Sequence, residues 1–333
     1  MVNNIRHKIF KAIEAGVGKS AANILRYLTM TQFKMLANKP LLKQLNEYGA
    51  YSGLCRTRYS DLENQQLFSH ALTSEQQIKS LVYHYDIVTR YFTAEFLETI
   101  RDREFICWST NADQIAHTIS LSISSELEYE GCLTLSYEVD NLKIYYISFT
   151  ICPGSFFGQS GNTILVSRNQ GVRGQHVEIA RASKDLNDVF PAHALMSALE
   201  GLSLTLGINQ IIGIASHNQI TIVQSEAIEN SILHYNDFWN TFETKRTDSL
   251  DYLISIPYAL KNLKSIKSKH RKRTMHKRSI RRNISFNAQK NIMQNLNTDK
   301  MQSSIKRFRS EANKTQQVDS SVAVTVPIFL DLL

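Results

Sequence analysis

Between Leu133 and Val139 the chain alternates without a break: Leu133, Leu135, Tyr137 and Val139 are separated by Thr134, Ser136 and Glu138. A period of two places every second side chain on one face of an extended backbone, so this segment reads as a strand with one face buried. Asp140-Asn141 follows, and both residues tolerate positive φ, as a two-residue reversal requires. Leu142 to Ile151 resumes as β-branched and aromatic residues with no polar face, the composition of a central strand. A Gly-rich connection (Gly154, Gly158, Gly161) leads to a third strand, Thr163 to Ser167, and then to the loop Gln170-Gly171-Val172-Arg173-Gly174. After a short helix, His176 to Leu186, Pro191 suits the first turn of a longer one with an apolar stripe at Leu195, Leu199, Leu202 and Leu206. Gly207 ends it, and Gln210 to Ala215 reads as a short buried strand. A hairpin that feeds a strand–loop–helix–strand unit predicts an α+β core with a mixed, largely antiparallel central sheet flanked by helices.

Upstream, Thr73 and Gln76 form a capping-box pair that launches a helix over Ile78, Leu81, Val82, Tyr85, Val88, Phe92 and Phe96. Ile119, Leu121 and Ile123 alternate as an edge strand would. The first sixty residues have rough helical spacing (Ile5, Ile9, Ile13, then Ile24, Leu25 and Leu28), with a further short helix after Pro40. Gly16-Val17-Gly18-Lys19-Ser20 is an interhelical turn rather than a phosphate loop, because Ile13 stands where the first glycine belongs and no strand precedes it. Three regions result: a helical N-terminal extension over 1–60, a core over 61–290 that ends in a basic arm, and a polar tail over 291–333, apolar again from Val322 to Leu333.

No apolar run reaches the roughly 20 residues of a membrane-spanning helix. The N-terminus lacks the apolar stretch of a secretory signal, since Lys19, Arg26 and Lys34 interrupt it. Cys55, Cys107, Cys132 and Cys152 are scattered without metal-ligand spacing, so they read as buried thiols, with no metal site and no disulfide framework. These features predict a soluble protein of the bacterial cytoplasm, or one peripheral at the inner membrane.

The formal charge of +8 hides a local concentration. From Tyr252 to Thr298 there is no acid and there are twelve cations, so the rest of the chain is mildly acidic. Lys267, Lys269, Arg271, Lys272, Arg273, Lys277, Arg278, Arg281 and Arg282 form the dense part of this run, with a helix expected to begin near Tyr258. Such a block suits a polyanion, whether RNA or an anionic lipid; its bland alternative is a solvated face that neutralises the acidic body.

Candidate chemistry lies in the central unit and just beyond it. Loops at strand ends in α/β units carry ligand contacts, which singles out His217 and Asn218 after the Gln210–Ala215 strand. His234-Tyr235-Asn236-Asp237-Phe238-Trp239 gathers titratable and aromatic residues, with His234 and Asp237 as a base and its orienting acid and Tyr235 as a proton donor. Phe238 and Trp239 are also simple core anchors, and Asn236-Asp237 a turn.

The ordered string Tyr83-His84-Tyr85, the hairpin, Gln170-Gly171, Ala180-Arg181, Pro191 with its Leu-rich helix, Gly213, His234-Tyr235 with Phe238-Trp239, Pro257 and Ile266 to Arg271 up to Arg281-Arg282 resembles the VirK/YbjX family of Gram-negative bacteria, over roughly residues 60–285. That resemblance implies a role in virulence or envelope adaptation, including tolerance of antimicrobial peptides, without implying an activity. Arg168-Asn169-Gln170-Gly171-Val172 is in turn similar to the Gln/Arg-x-x-Gly-x-Gly/Ala loop of the N-acetyltransferase (GNAT) superfamily, except that Arg173 replaces its last small residue. This second resemblance implies a GNAT-like core and an acyl- or acetyl-coenzyme A donor gripped by Gln170, Gly171, Arg173 and Gly174, with His217 and Asn218 nearby. Two functions therefore stand side by side: acyl transfer from a thioester, and a non-enzymatic factor that binds RNA or anionic lipid and supports production of a surface virulence protein.

Overall fold

The structure, a computed structural model, describes residues 67–124, 130–220 and 235–300, with 302, 303 and 306. The N-terminal helices, the Gly16–Ser20 turn, Cys55, His234 and the apolar terminus lie outside the described residues. Eight strands form one sheet in the order β1-β2-β3-β4-β5-β6-β8-β7. These are β1 (Phe105–Ala112), β2 (Ile115–Ile123), β3 (Leu133–Val139), β4 (Leu142–Pro153), β5 (Asn162–Gly171), β6 (Gln210–Gly213), β7 (Thr244–Arg246) and β8 (Tyr252–Ser255). Every adjacent pair is antiparallel except β5 and β6. The helices are α1 (Ser74–Tyr91), α2 (Ala94–Asp102), α3 (His176–Asp185), α4 (Pro191–Leu206) and α5 (Ser268–Met293). No described helix is long and apolar enough to cross a membrane.

The hairpin is where the alternation places it. Asp140 and Asn141 take φ of 48° and 66°, the left-handed pair that returns the chain in two residues. β4 is the fourth of eight strands. Leu135, Tyr137, Ile147 and Phe149 lie on a face that is closed from solvent. The polar members of the alternation are buried too, contrary to a half-wet strand. Ser124, Thr134 and Ser148 instead satisfy one another through hydroxyl contacts of 2.7 and 2.9 Å.

Four expectations are corrected. The single helix through Phe96 is two, because Thr93 accepts from the Phe96 amide and caps α2 as Thr73 caps α1. β2 is an interior strand between β1 and β3, and β1 is the sheet edge. β5 runs four residues past Ser167, so Gln170 and Gly171 pair with Tyr146 and Tyr145 inside the ladder rather than opening the loop. No α-helix begins near Tyr258; Leu263–Ser265 makes one 3-10 turn, and the basic helix starts at Ser268.

α4 and α5 approach closely through Gly201. A Cβ there would stand 2.3 Å from the Ser285 carbonyl oxygen and 2.8 Å from the Gln289 amide. Ile284, Ala288 and Ile292 of α5 are fully buried at this contact, and Leu296 just beyond it is also in the core. The basic run is therefore half of an integral helix, which passes through the boundary expected near residue 290.

Candidate functional site

The parallel pair β5–β6 holds together for only three residues: Ile164 opposite Ile211, Leu165 opposite Ile212 and Val166 opposite Gly213. One more ladder bond, from the Ile214 amide to the Val166 carbonyl at 3.2 Å, closes it. Among the described residues β5 then continues to Gly171 against β4 alone, while the chain after β6 turns elsewhere. Two side chains account for the turn. The buried Asp251 accepts from the Ala215 amide and from Asn218 Nδ2, both at 2.8 Å, and Ser249 donates to its other oxygen at 2.8 Å. Asn236 accepts from the Ser216 amide at 3.1 Å and donates to Ser216 Oγ at 2.8 Å. Amides that would otherwise extend the ladder are thus satisfied by side chains, and the two strands part.

The groups at the parting are unusual for a sheet interior. Arg168 pairs with Ser148 and Val166 with Phe149, so Ser167 is the extra residue of a bulge, a device that re-aims a side chain. Ser167 Oγ and Asn169 Oδ1 are buried with no hydrogen-bond partner among the described residues. A buried polar atom left unpaired costs about 1–3 kcal/mol, which makes both atoms candidates for meeting a ligand. Arg168 lies 3.5 Å from Glu130 and over the Tyr146 ring.

From the β6 side, Trp239 lies against Gly213, whose missing Cβ makes room for the indole. Tyr235 sits one turn earlier, 6.1 Å from Trp239 between ring centres. Its hydroxyl is out of solvent. Burial raises its pKa well above the ordinary phenol value; Glu130 and Tyr145 add to this, and the Gln219 and Trp239 side chains pull the other way. A phenol held protonated in this way keeps its O–H as a hydrogen-bond donor, and the same shift makes it a weaker acid.

Next to the parting, residues 172–175 lead into α3. Gly174 adopts φ +86°, a conformation that glycine takes without strain. The first turn of α3 has no side-chain cap, and Arg173, Gly174, His176 and Val177 are exposed. Uncapped amides with the positive end of the helix dipole behind them suit an anion.

The structure distributes the remaining sequence candidates unevenly. Asp237 is exposed while the Tyr235 hydroxyl is buried, so the two face different surroundings. Asn218 is part of the Asp251 clamp, and His217 Nε2 lies 3.3 Å from the Ser249 carbonyl. Many of the basic residues have internal contacts, Arg282 among them. Arg271 donates to the carbonyls of Ile266 and Lys264, Arg273 pairs with Asp188, and Arg278 donates to the Lys261 carbonyl. Arg281 donates to Ser197 and lies over the Phe242 and Tyr258 rings, and Lys277 is near Asp188. Lys267, Lys269, Lys272 and Arg282 are exposed. Sequence reading missed Ser167, Asn169, Gln219 and Asp251. Only Asp251 carried a signal, as the last acid before a 47-residue stretch without one. Among the described residues no three His, Cys, Asp or Glu side chains are grouped as a metal ion would need.

Fold and site together define an α+β protein with one mixed sheet whose parallel pair β5–β6 opens beside an uncapped glycine turn. The chain belongs to the family described as "Protein of unknown function (DUF535)", whose model matches residues 17–295; this is the VirK/YbjX family. The match begins well before the stretch over which the short motifs run. No curated protein and no solved structure matches the chain.

Proposed function

We propose that this protein is a GNAT-like acyltransferase that takes its acyl group from a coenzyme A-type thioester and serves envelope adaptation or virulence in a bacterium. The observation that carries the reading is the parting of β5 from β6 after Val166 and Gly213, with Ser167 Oγ and Asn169 Oδ1 buried at its edge and without a partner among the described residues. The strand order is in keeping with it, since five successive antiparallel strands, a parallel contact and a returning hairpin make the mixed, largely antiparallel sheet that the loop resemblance implies.

Bound acyl-coenzyme A would supply an activated acyl group. The uncapped amides of His176, Val177 and Glu178 at the start of α3, with Arg173, would hold its phosphates. Unpaired groups of the bulged strand would hydrogen-bond its pantetheine arm. Tyr235, by residue type and position, would be the acid that protonates the departing thiolate as the acceptor's nucleophile forms the new acyl bond. His234 remains the candidate base by residue type.

The test is calorimetric titration of the purified protein with acetyl-coenzyme A and a long-chain acyl-coenzyme A, followed by thiol release in the presence of amine and hydroxyl acceptors. Arg173→Glu should weaken donor binding by about tenfold or more, the loss of a charge-assisted phosphate contact. Flat titrations with every thioester would end the proposal.

A further inference from the structure

α5 shows the body one face and solvent another. Its inner face carries Ile284, Ala288 and Ile292 against α4. On the opposite side, Lys272, Met275, Ser279, Arg282 and Phe286 follow at spacings of 3, 4, 3 and 4, one continuous stripe on a helix. Met275 and Phe286 stand 45% and 48% exposed in that stripe. The contacts of Arg271 and Arg278 to the carbonyls of Lys264, Ile266 and Lys261 tie segment 261–266 alongside the helix. Leu260, 51% exposed, borders that segment.

The cations divide largely by type, although Arg282 is exposed on the same stripe. Arg271, Arg273, Arg278 and Arg281, the residues able to make two-pronged contacts, are engaged with the protein itself. Lysines dominate the exposed set: Lys261, Lys264, Lys267, Lys269 and Lys272. Asp188, the acid facing this surface, is neutralised by Arg273 at 2.6 Å, and Glu200 is turned inward to the Tyr258 amide. Reading bases favours free arginines and a row of aromatic rings, and this ridge offers one ring. Mobile ammonium groups around protruding Leu, Met and Phe side chains suit a fluid layer of phosphate headgroups over hydrocarbon.

We propose that the outward ridge of α5, with segment 260–267, docks on an anionic bilayer surface. The lysines lie over lipid phosphates, while Leu260, Met275 and Phe286 enter the acyl boundary. Flotation of the full chain with vesicles tests this, comparing pure phosphatidylcholine with vesicles containing about 30% phosphatidylglycerol. Binding is expected only to the anionic vesicles and falls as salt is raised from about 0.1 to about 0.5 M. Lys269→Glu with Lys272→Glu should lower the affinity by roughly twentyfold or more, since each headgroup-facing cation is worth about fivefold. Met275→Ser with Phe286→Ser keeps every charge and should still lower it about tenfold, with an unchanged circular dichroism spectrum. Absence of anionic-vesicle binding at low salt overturns the proposal. So does vesicle binding that is indifferent to the serine pair while a single-stranded RNA oligomer binds more tightly, the outcome of a nucleic-acid surface.

Discussion

Gly213→Ala probes how the open end of β6 is packed. Gly213 has no left-handed backbone, so alanine meets no conformational penalty there and the effect is steric alone. A Cβ would lie 2.7 Å from Cδ2, Cε2 and Cε3 of Trp239, where carbon atoms rest at about 3.5–4.0 Å. The indole must therefore withdraw by about 1 Å. It is fully buried, with the Phe238 ring at 4.9 Å and those of Tyr235 and Tyr252 at 6.1 and 6.3 Å, so nothing beside it can yield freely. Overpacking of this kind costs about 1–3 kcal/mol. At the size of this core that is roughly 2–4 °C in Tm for each kcal/mol. Urea unfolding of wild type, Gly213→Ala, Trp239→Leu and the double variant closes a cycle. With the large ring gone, the alanine should cost close to nothing, which leaves a coupling of about 1–3 kcal/mol. Equal destabilisation by alanine in both backgrounds, or none in the wild-type background, refutes the packing argument.

Ser167→Ala removes a buried hydroxyl that has no described partner, so the free protein should be unchanged or up to about 1 kcal/mol more stable by urea unfolding, while its affinity for an acyl-coenzyme A falls; a clear loss of stability would mean that the hydroxyl is already satisfied. His84 is fully buried, its Nδ1 accepts from the Ile151 amide at 3.0 Å, and burial lowers its pKa to about 3. The unfolded chain binds a proton below about pH 6.5 and the folded one does not, so this residue's contribution to stability falls by about 1.4 kcal/mol for each unit from pH 6.5 downward; His84→Asn, which keeps the acceptor, should flatten the slope of unfolding free energy between pH 6.5 and 5. Gly201→Ala drives a methyl group into backbone on α5 that cannot rotate away, and should cost about 3 kcal/mol or more, read as a lowered urea midpoint and as faster proteolysis within 268–293.

The elements that sequence made legible are those whose signals are local. Asp140-Asn141 needs only two residues that accept positive φ, and Pro191 and Gly207 mark both ends of α4 by their own conformational limits. Thr93 shows the boundary of this reading. Phe92 and Phe96 keep helical spacing, yet a threonine between them that caps the Phe96 amide ends one helix and starts another. β7 and β8 escaped notice because three- and four-residue strands have too little length for a period. The candidate site was legible as a glycine turn beside a helix start. It was not legible as a parting of strands, because that depends on Asp251 and Asn236 reaching back to Ala215 and Ser216 across tens of residues. No spacing rule encodes such a contact.

The parting runs against what stability alone would select. Continuing β6 along β5 would give the amides of Ala215 and Ser216 ladder partners in place of side-chain ones. The chain instead commits a buried carboxylate, an asparagine and the Asn218 amide to holding residues 215–218 aside. It also places a glycine where an indole must lie against the last β6 residue. These arrangements act on the same few ångströms of sheet and all keep it open. An opening held by these contacts, next to backbone amides at the start of α3 and a buried phenol, is the place where the proposed ligand would bind. Under the proposed function, Ser167, Asn169 and the amides that open α3 would be the groups that meet the thioester.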